Sequence, residues 1–290
     1  MEALTLAAFM TAQGGYYYFL KRAQQDHIRG LYDSVLFVAL NSVFQFVFLL
    51  VLPPYAPLSF TADAWTLGGA FSLLYAVGAV LLFMALGLGP LSLTHMITNL
   101  RVFIPVAAGV LLWHEPFRWT AGAGIALFVA AMLLVNRPSA RQRERLSLKW
   151  LLLSIASGVA YGAAICLTKA YGMRQGSASS REYLLAYNAM LVFLAIPYLA
   201  TRRKSLNIGL LRERRFVRAA ALTALAQDVM NLIFMLYINR FSAAVYFPMT
   251  SALAILAATV VGRVFFREHI GARGYAGIML AILSVVLLNL

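Results

Sequence analysis

The sequence predicts an all-α membrane protein whose ten transmembrane helices form two inverted five-helix repeats, and three observations predict it. Of 290 residues, 62% are hydrophobic and only 12% are charged, with a mean hydropathy of +0.80. A water-facing domain carries about a quarter charged residues, so this chain has too little polar surface to cover one. Apolar runs long enough to cross about 30 Å of hydrocarbon at about 1.5 Å per residue recur along the whole length. Corresponding features then return in the second half at a near-constant interval.

The expected spans are 2–20, 31–52, 65–87, 90–112, 119–136, 148–172, 183–200, 217–239, 242–264 and 271–290. The opening MEALTLAAFM lacks a basic flank and a small-residue cleavage signal, which makes it a first span and not a removable signal peptide. No gap is long enough for a soluble domain. The longest are two basic segments, 137–147 and 201–216, and PPYAPLS at 53–59 is a Pro-rich turn.

The first repeat is expected over 1–147 (helices 1–5 and the basic linker) and the second over 148–290 (helices 6–10). GPLSLTHMITNLRVFIPVAAGVLLWHE at 89–115 matches FSAAVYFPMTSALAILAATVVGRVFFRE at 241–268. Gly109 then corresponds to Gly262 and Glu115 to Glu268, both 153 residues on, while Asn41 and Lys21 correspond to Asn188 and Lys169 at 147 and 148. Five crossings leave the chain on the opposite side, so the second repeat must enter the membrane upside down. Inverted repeats are an architecture of alternating-access transporters, with the substrate near the midplane.

The net charge of +14 does not point to nucleic acid, because the Lys and Arg residues gather in the gaps between apolar runs instead of along one face of a soluble fold. One side of the ten-helix arrangement collects Lys21, Arg22, Arg29, Arg137, Arg141, Arg143, Arg145, Lys149, Arg202, Arg203, Lys204, Arg212, Arg214, Arg215, Arg218, Arg263, Arg267 and Arg273. The other side has Arg118, Arg174, Arg181 and Arg240. The bias puts the basic side in the cytoplasm and both termini outside, in a bacterial inner (plasma) membrane. Cys166 is the only cysteine, which leaves no intramolecular disulfide and no thiolate metal site.

The doubled unit resembles the drug/metabolite transporter superfamily, of the ten-helix EamA-like kind. The likeness covers essentially the whole chain. It rests on a small-residue helix 4 with Pro105, an acidic residue at its exit and a Gly-rich helix 5, repeated through Pro248, Glu268, Gly271, Gly274 and Gly277. The resemblance implies transport and leaves the cargo open among amino acids, sugars, nucleotide sugars, organic cations and other metabolites. Two features depart from the family pattern. Family members are described with both termini in the cytoplasm, whereas the charges here say the reverse. Single-repeat relatives use a helix-1 carboxylate eight residues before a Lys; Gln13 before Lys21 and Tyr161 before Lys169 fill those places and cannot exchange a proton for a cation.

Arg101 at the middle of helix 4 and Asp228 at the middle of helix 8 are the charges expected inside the membrane, where each costs about 2.5–3.5 kcal/mol on insertion scales. Either they face a cavity, Arg101 attracting a carboxylate or phosphate and Asp228 an amine or a proton, or they bridge one another. His95 is a candidate pH sensor or substrate ligand, or a histidine bonded to a neighbouring helix. Asn99 and Asn231 lie near the two charges, and Asn41 and Asn188 occupy equivalent places in helices 2 and 7; all four serve a common cavity or helix packing. Gln13 with Tyr16, Tyr17 and Tyr18 gives helix 1 a polar aromatic face. Tyr75, Tyr161 and Tyr246 lie deeper, where a ring can stack on cargo. Lys169 is expected to snorkel, Glu115 and Glu268 to pair with nearby Arg, and Pro105 and Pro248 to free carbonyls or kink their helices.

The expected function is secondary transport of a small polar or zwitterionic metabolite, driven by a gradient of substrate or of an ion such as H+ or Na+, with the bilayer as partner and no cofactor or ATP-binding subunit. No HExxH, Walker-type loop or GxSxG supports an enzyme. The alternatives are an exporter of organic cations or drugs and a non-transporting membrane scaffold or receptor.

Overall fold

In a computed structural model the chain is described at residues 3–28, 30–51, 58, 61–86, 88, 94, 97–135, 147–176, 180–201, 208–266 and 272–288. Among these residues there is no strand. The main helices are α1 (Ala3–Asp26), α2 (Leu31–Val51), α3 (Ala62–Leu86), α4 (Phe103–Leu111), α5 (Trp119–Val135), α6 (Leu148–Gln175), α7 (Ser180–Thr201), α8 (Arg214–Tyr237), α9 (Ala243–Phe265) and α10 (Ala272–Leu288). One-turn helices flank them at Leu100–Val102 and Ile208–Arg212.

Six are long and apolar enough to cross a bilayer: α2, α3, α6, α7, α8 and α9; shorter apolar helices run over Ile97–Leu111, Trp119–Leu134 and Tyr275–Leu288. The outward faces agree. Leu73, Val77, Val80 and Met84 on α3 are 44–55% exposed at helical spacing, and Leu152, Ile155 and Val159 on α6 are 46–58% exposed. Continuous apolar stripes of this kind are costly in water and ordinary in lipid. The chain is an integral multi-pass membrane protein.

The starts and stops follow from local chemistry. Thr61 Oγ1 accepts from the Ala64 N–H at 3.3 Å to begin α3, and Ser147 Oγ accepts from the Trp150 N–H at 3.2 Å to begin α6. Gly176, at φ +72°, closes α6, donating its N–H to the Gly172 carbonyl at 2.9 Å. Ser242 gives α9 no side-chain cap. Glu115 does so from a distance: its Oε2 accepts from the Ala243 N–H at 2.6 Å, a carboxylate at the positive end of a helix. Glu115 thus also serves as a helix cap, a role its sequence context does not announce; Glu268 lies outside the described residues.

The contacts divide the chain into two compact units. The first comprises 1–73 and 167–239, in which α1 packs on α8, α2 on α7 and on α8, and α7 on α8. The second comprises 74–166 and 240–290, in which α4, α5 and α10 pack on α9 and α5 packs on α10. Each unit takes residues from both 1–147 and 148–290.

Candidate functional site

In the first unit the polar residues of three helices meet. α2 supplies Asn41 and Gln45 on one face, four residues apart. The Asn41 amide donates to the Ala220 carbonyl at 3.3 Å, and Gln45 Nε2 donates to Asn41 Oδ1 at 2.5 Å and to Gln227 Oε1 at 3.3 Å. Tyr187 of α7 donates its hydroxyl to Gln45 Oε1 at 3.2 Å and accepts from Asn231 Nδ2 at 2.9 Å. A hydrogen-bonded chain therefore runs Asn41, Gln45, Tyr187, Asn231, with Gln227 as a branch. Such amides must find partners once buried, and these find one another.

Asp228 does not join them. It lies between Gln227 and Asn231 in sequence and on the buried stripe Phe216, Ala220, Ala224, Asp228, Met235, each at most 1% exposed. Neither carboxylate oxygen has a hydrogen-bond partner among the described residues. Arg101, the partner weighed from the sequence, belongs to the second unit. Asn188 is fully buried; its amide turns back to the Leu184 carbonyl at 2.8 Å and its Oδ1 is unbonded. Gln13 is buried on α1, the helix packed against α8.

In the second unit Arg101 sits in the 3-10 turn Leu100–Val102 that leads into α4, and not inside a regular helix. Pro105 has no N–H to offer the Arg101 carbonyl four residues back, so the α-helical ladder is interrupted there. Gly162 of α6 fills the space beside that carbonyl: a Cβ at 162 would lie 2.8 Å from the Arg101 oxygen and 2.6 Å from Ile104 Cδ1. The half-buried guanidinium carbon stands 5.4 Å over the ring of buried Tyr161, a cation–π contact. Tyr75 meets the same ring edge-on at 5.2 Å between centroids. Asn99 is half-buried at the N-cap of the turn and makes no side-chain cap hydrogen bond. Tyr246 stacks on Phe241 at 6.1 Å and is 1% exposed, which makes it a packing residue of α9. Pro248 lies within an unbroken α9.

The candidates therefore fall into two groups, Asn41, Asn231, Asp228, Asn188 and Gln13 in one unit and Arg101, Asn99, Tyr75, Tyr161 and Tyr246 in the other. His95 lies outside the described residues. Lys169 corrects its expectation: it is 1% exposed, buried within the protein and not snorkelling. Sequence inspection missed Gln45, Gln227 and Tyr187. The available signal was helical spacing, since Gln45 follows Asn41 by one turn and Gln227 precedes Asn231 by one.

No family model matches the chain. A Bacillus subtilis protein named Uncharacterized transporter YvbV is 33% identical over 117 residues, 38% of this chain and 38% of that protein. A Klebsiella pneumoniae protein named Probable 4-amino-4-deoxy-L-arabinose-phosphoundecaprenol flippase subunit ArnF is 36% identical over 80 residues, 27% of this chain and 64% of that protein. The chain thus spans less than two thirds of the length of either relative. A solved structure described only as "Crystal structure of protein" superposes with a TM-score of 0.71 over 96% of this chain and 94% of that one, at 13% identity. That likeness shows a shared fold. The sequence relatives are proteins named for moving molecules across membranes.

Proposed function

We propose that the chain is a secondary transporter that moves a small amine-bearing polar or zwitterionic metabolite across a bacterial inner membrane by alternating access. Asp228 carries the proposal. A carboxylate buried with both oxygens unbonded, beside a ring of amides that satisfy one another, is stabilised by what enters and not by the resting fold. Ammonium groups and protons are the entrants that suit it. Asn231, Gln227 and Tyr187 are the neighbours that reorganise around cargo, and Asn188 offers a second unbonded oxygen. Arg101, backed by Tyr161 and Tyr75, is the second unit's position for an anionic group.

The relatives support transport, and the name of the Klebsiella protein describes cargo with both an amine and a phosphate. The ten-span, two-repeat arrangement is supported by helix pairing: α2 with α7, α4 with α9 and α5 with α10 each join a helix to the one five places on. α1 and the three shorter apolar helices then complete the crossings. The energy comes from a gradient of substrate or of H+ or Na+, and the protein works without cofactor, catalytic step or ATP-binding subunit.

The test is uptake into proteoliposomes from a panel of amino acids, phosphorylated amino sugars and organic cations. Wild type moves at least one amine-bearing solute; Asp228→Asn lowers its rate at least tenfold and Arg101→Ala lowers it for zwitterions. A wild type that moves nothing, or two variants that both transport normally, overturns the assignment. A second reading, export of organic cations, is favoured by the cation–π contact that already satisfies Arg101. It requires solutes without an anionic group to be moved equally well by Arg101→Ala.

A further inference from the structure

A cavity of about 380 Å³ opens between the end of α1 and the first turns of α8. Three guanidiniums line it, Arg22, Arg215 and Arg218, against the single carboxylate of Asp26, a formal excess of two positive charges. Glu213, the N-cap residue of α8, is not among the lining residues; its carboxylate lies 3.2 Å from His27 Nδ1 and makes no side-chain cap hydrogen bond. These arginines lie on the side where the basic loops gather, and none is part of the polar cluster around Asp228.

The walls are not those of a site for a small soluble anion. Phe19 and Leu222 contribute apolar surface, and below Arg218 the same face of α8 carries Leu222, Leu225 and Val229 at spacings of four, three and four residues, exposed by 41%, 45% and 39%. Guanidiniums at the end of a lipid-facing apolar stripe match a molecule with an anionic head and a hydrocarbon tail. We propose that this cavity binds the phosphate of an anionic phospholipid of the basic-side leaflet, with an acyl chain running down α8.

The experiment is native mass spectrometry of the full chain in detergent, titrated with phosphatidylglycerol and phosphatidylcholine, with inorganic phosphate as competitor. Wild type should bind phosphatidylglycerol in preference, with millimolar inorganic phosphate displacing little of it. At about a fivefold affinity change per arginine near the surface, Arg22→Gln should weaken phosphatidylglycerol binding about fivefold and Arg215→Gln/Arg218→Gln about 25-fold. Phosphatidylcholine binding should hold, and Arg215→Lys/Arg218→Lys should keep most of the affinity. Equal binding of the two lipids, unchanged affinity in both Gln variants, or displacement by inorganic phosphate in proportion to its concentration would each overturn the proposal. The last outcome assigns the cavity to a soluble anion.

Discussion

On the buried stripe of α8, Asp228 follows Ala220 and Ala224, positions whose side chains are small and apolar. Nothing in the packing asks for a carboxylate there. An unsatisfied buried polar group costs about 1–3 kcal/mol, more when charged. Replacing Asp228 by Ala should therefore keep the protein folded and raise its unfolding temperature by a few °C in a thermal melt in detergent, while uptake of amine-bearing cargo is lost. A melt lowered by several degrees would mean that the carboxylate is structural. By contrast Tyr187→Phe removes the hydroxyl that links Gln45 to Asn231 and leaves two amides short of a partner. It should lower stability by about 1–3 kcal/mol, seen in the same melt. Asp228, Asn41 and Asn231 were legible in the sequence because a polar residue stands out in an apolar run. Tyr187 was not, since in such a run a tyrosine reads as an anchor until the contact across three helices is known. Lys169 stood out equally well, but its burial was not legible: position near a helix end does not tell whether other helices close over it.

At the scale of elements, hydropathy indicated roughly where the main helices lie among the described residues, and six of them have the length and apolarity that lipid enforces together. It did not reveal what interrupts or caps them. Pro105 marked the break before α4 but not its form, a 3-10 turn that carries Arg101 and receives Gly162 against its carbonyl. Gly162→Ala should push α4 from α6, destabilising by about 1–3 kcal/mol, and should lower zwitterion uptake by moving Arg101. An alanine variant with unchanged melting and unchanged uptake would show that the close approach is not needed. The cap on α9 was hidden in the same way, since Glu115 and Ala243 are 128 residues apart. Glu115→Ala should cost about 0.5–2 kcal/mol in the melt and leave cargo affinity unchanged, whereas a Glu115 acting on cargo would change affinity with little effect on melting.

For the whole molecule the question is orientation. Each compact unit draws on both 1–147 and 148–290, and α2, α4 and α5 each pack on the helix five places on. Under the proposed ten-span arrangement the two halves are copies of opposite polarity, as in inverted-repeat transporters. On that arrangement the basic segments follow α1, α3, α5, α7 and α9, and the positive-inside rule expects them on the cytoplasmic side. Alkaline phosphatase fused after Ser147 or after Asn207 should therefore be inactive and a green fluorescent fusion there bright. Fusions after Gly176 or Arg240 should show the opposite. The sites are chosen so that 147 closes the first five crossings and 176 follows the first crossing of the second five. If Gly176 and the region after α1 reported the same side, the two halves would share a polarity, and alternation of access by exchange of two oppositely oriented repeats would have no structural basis.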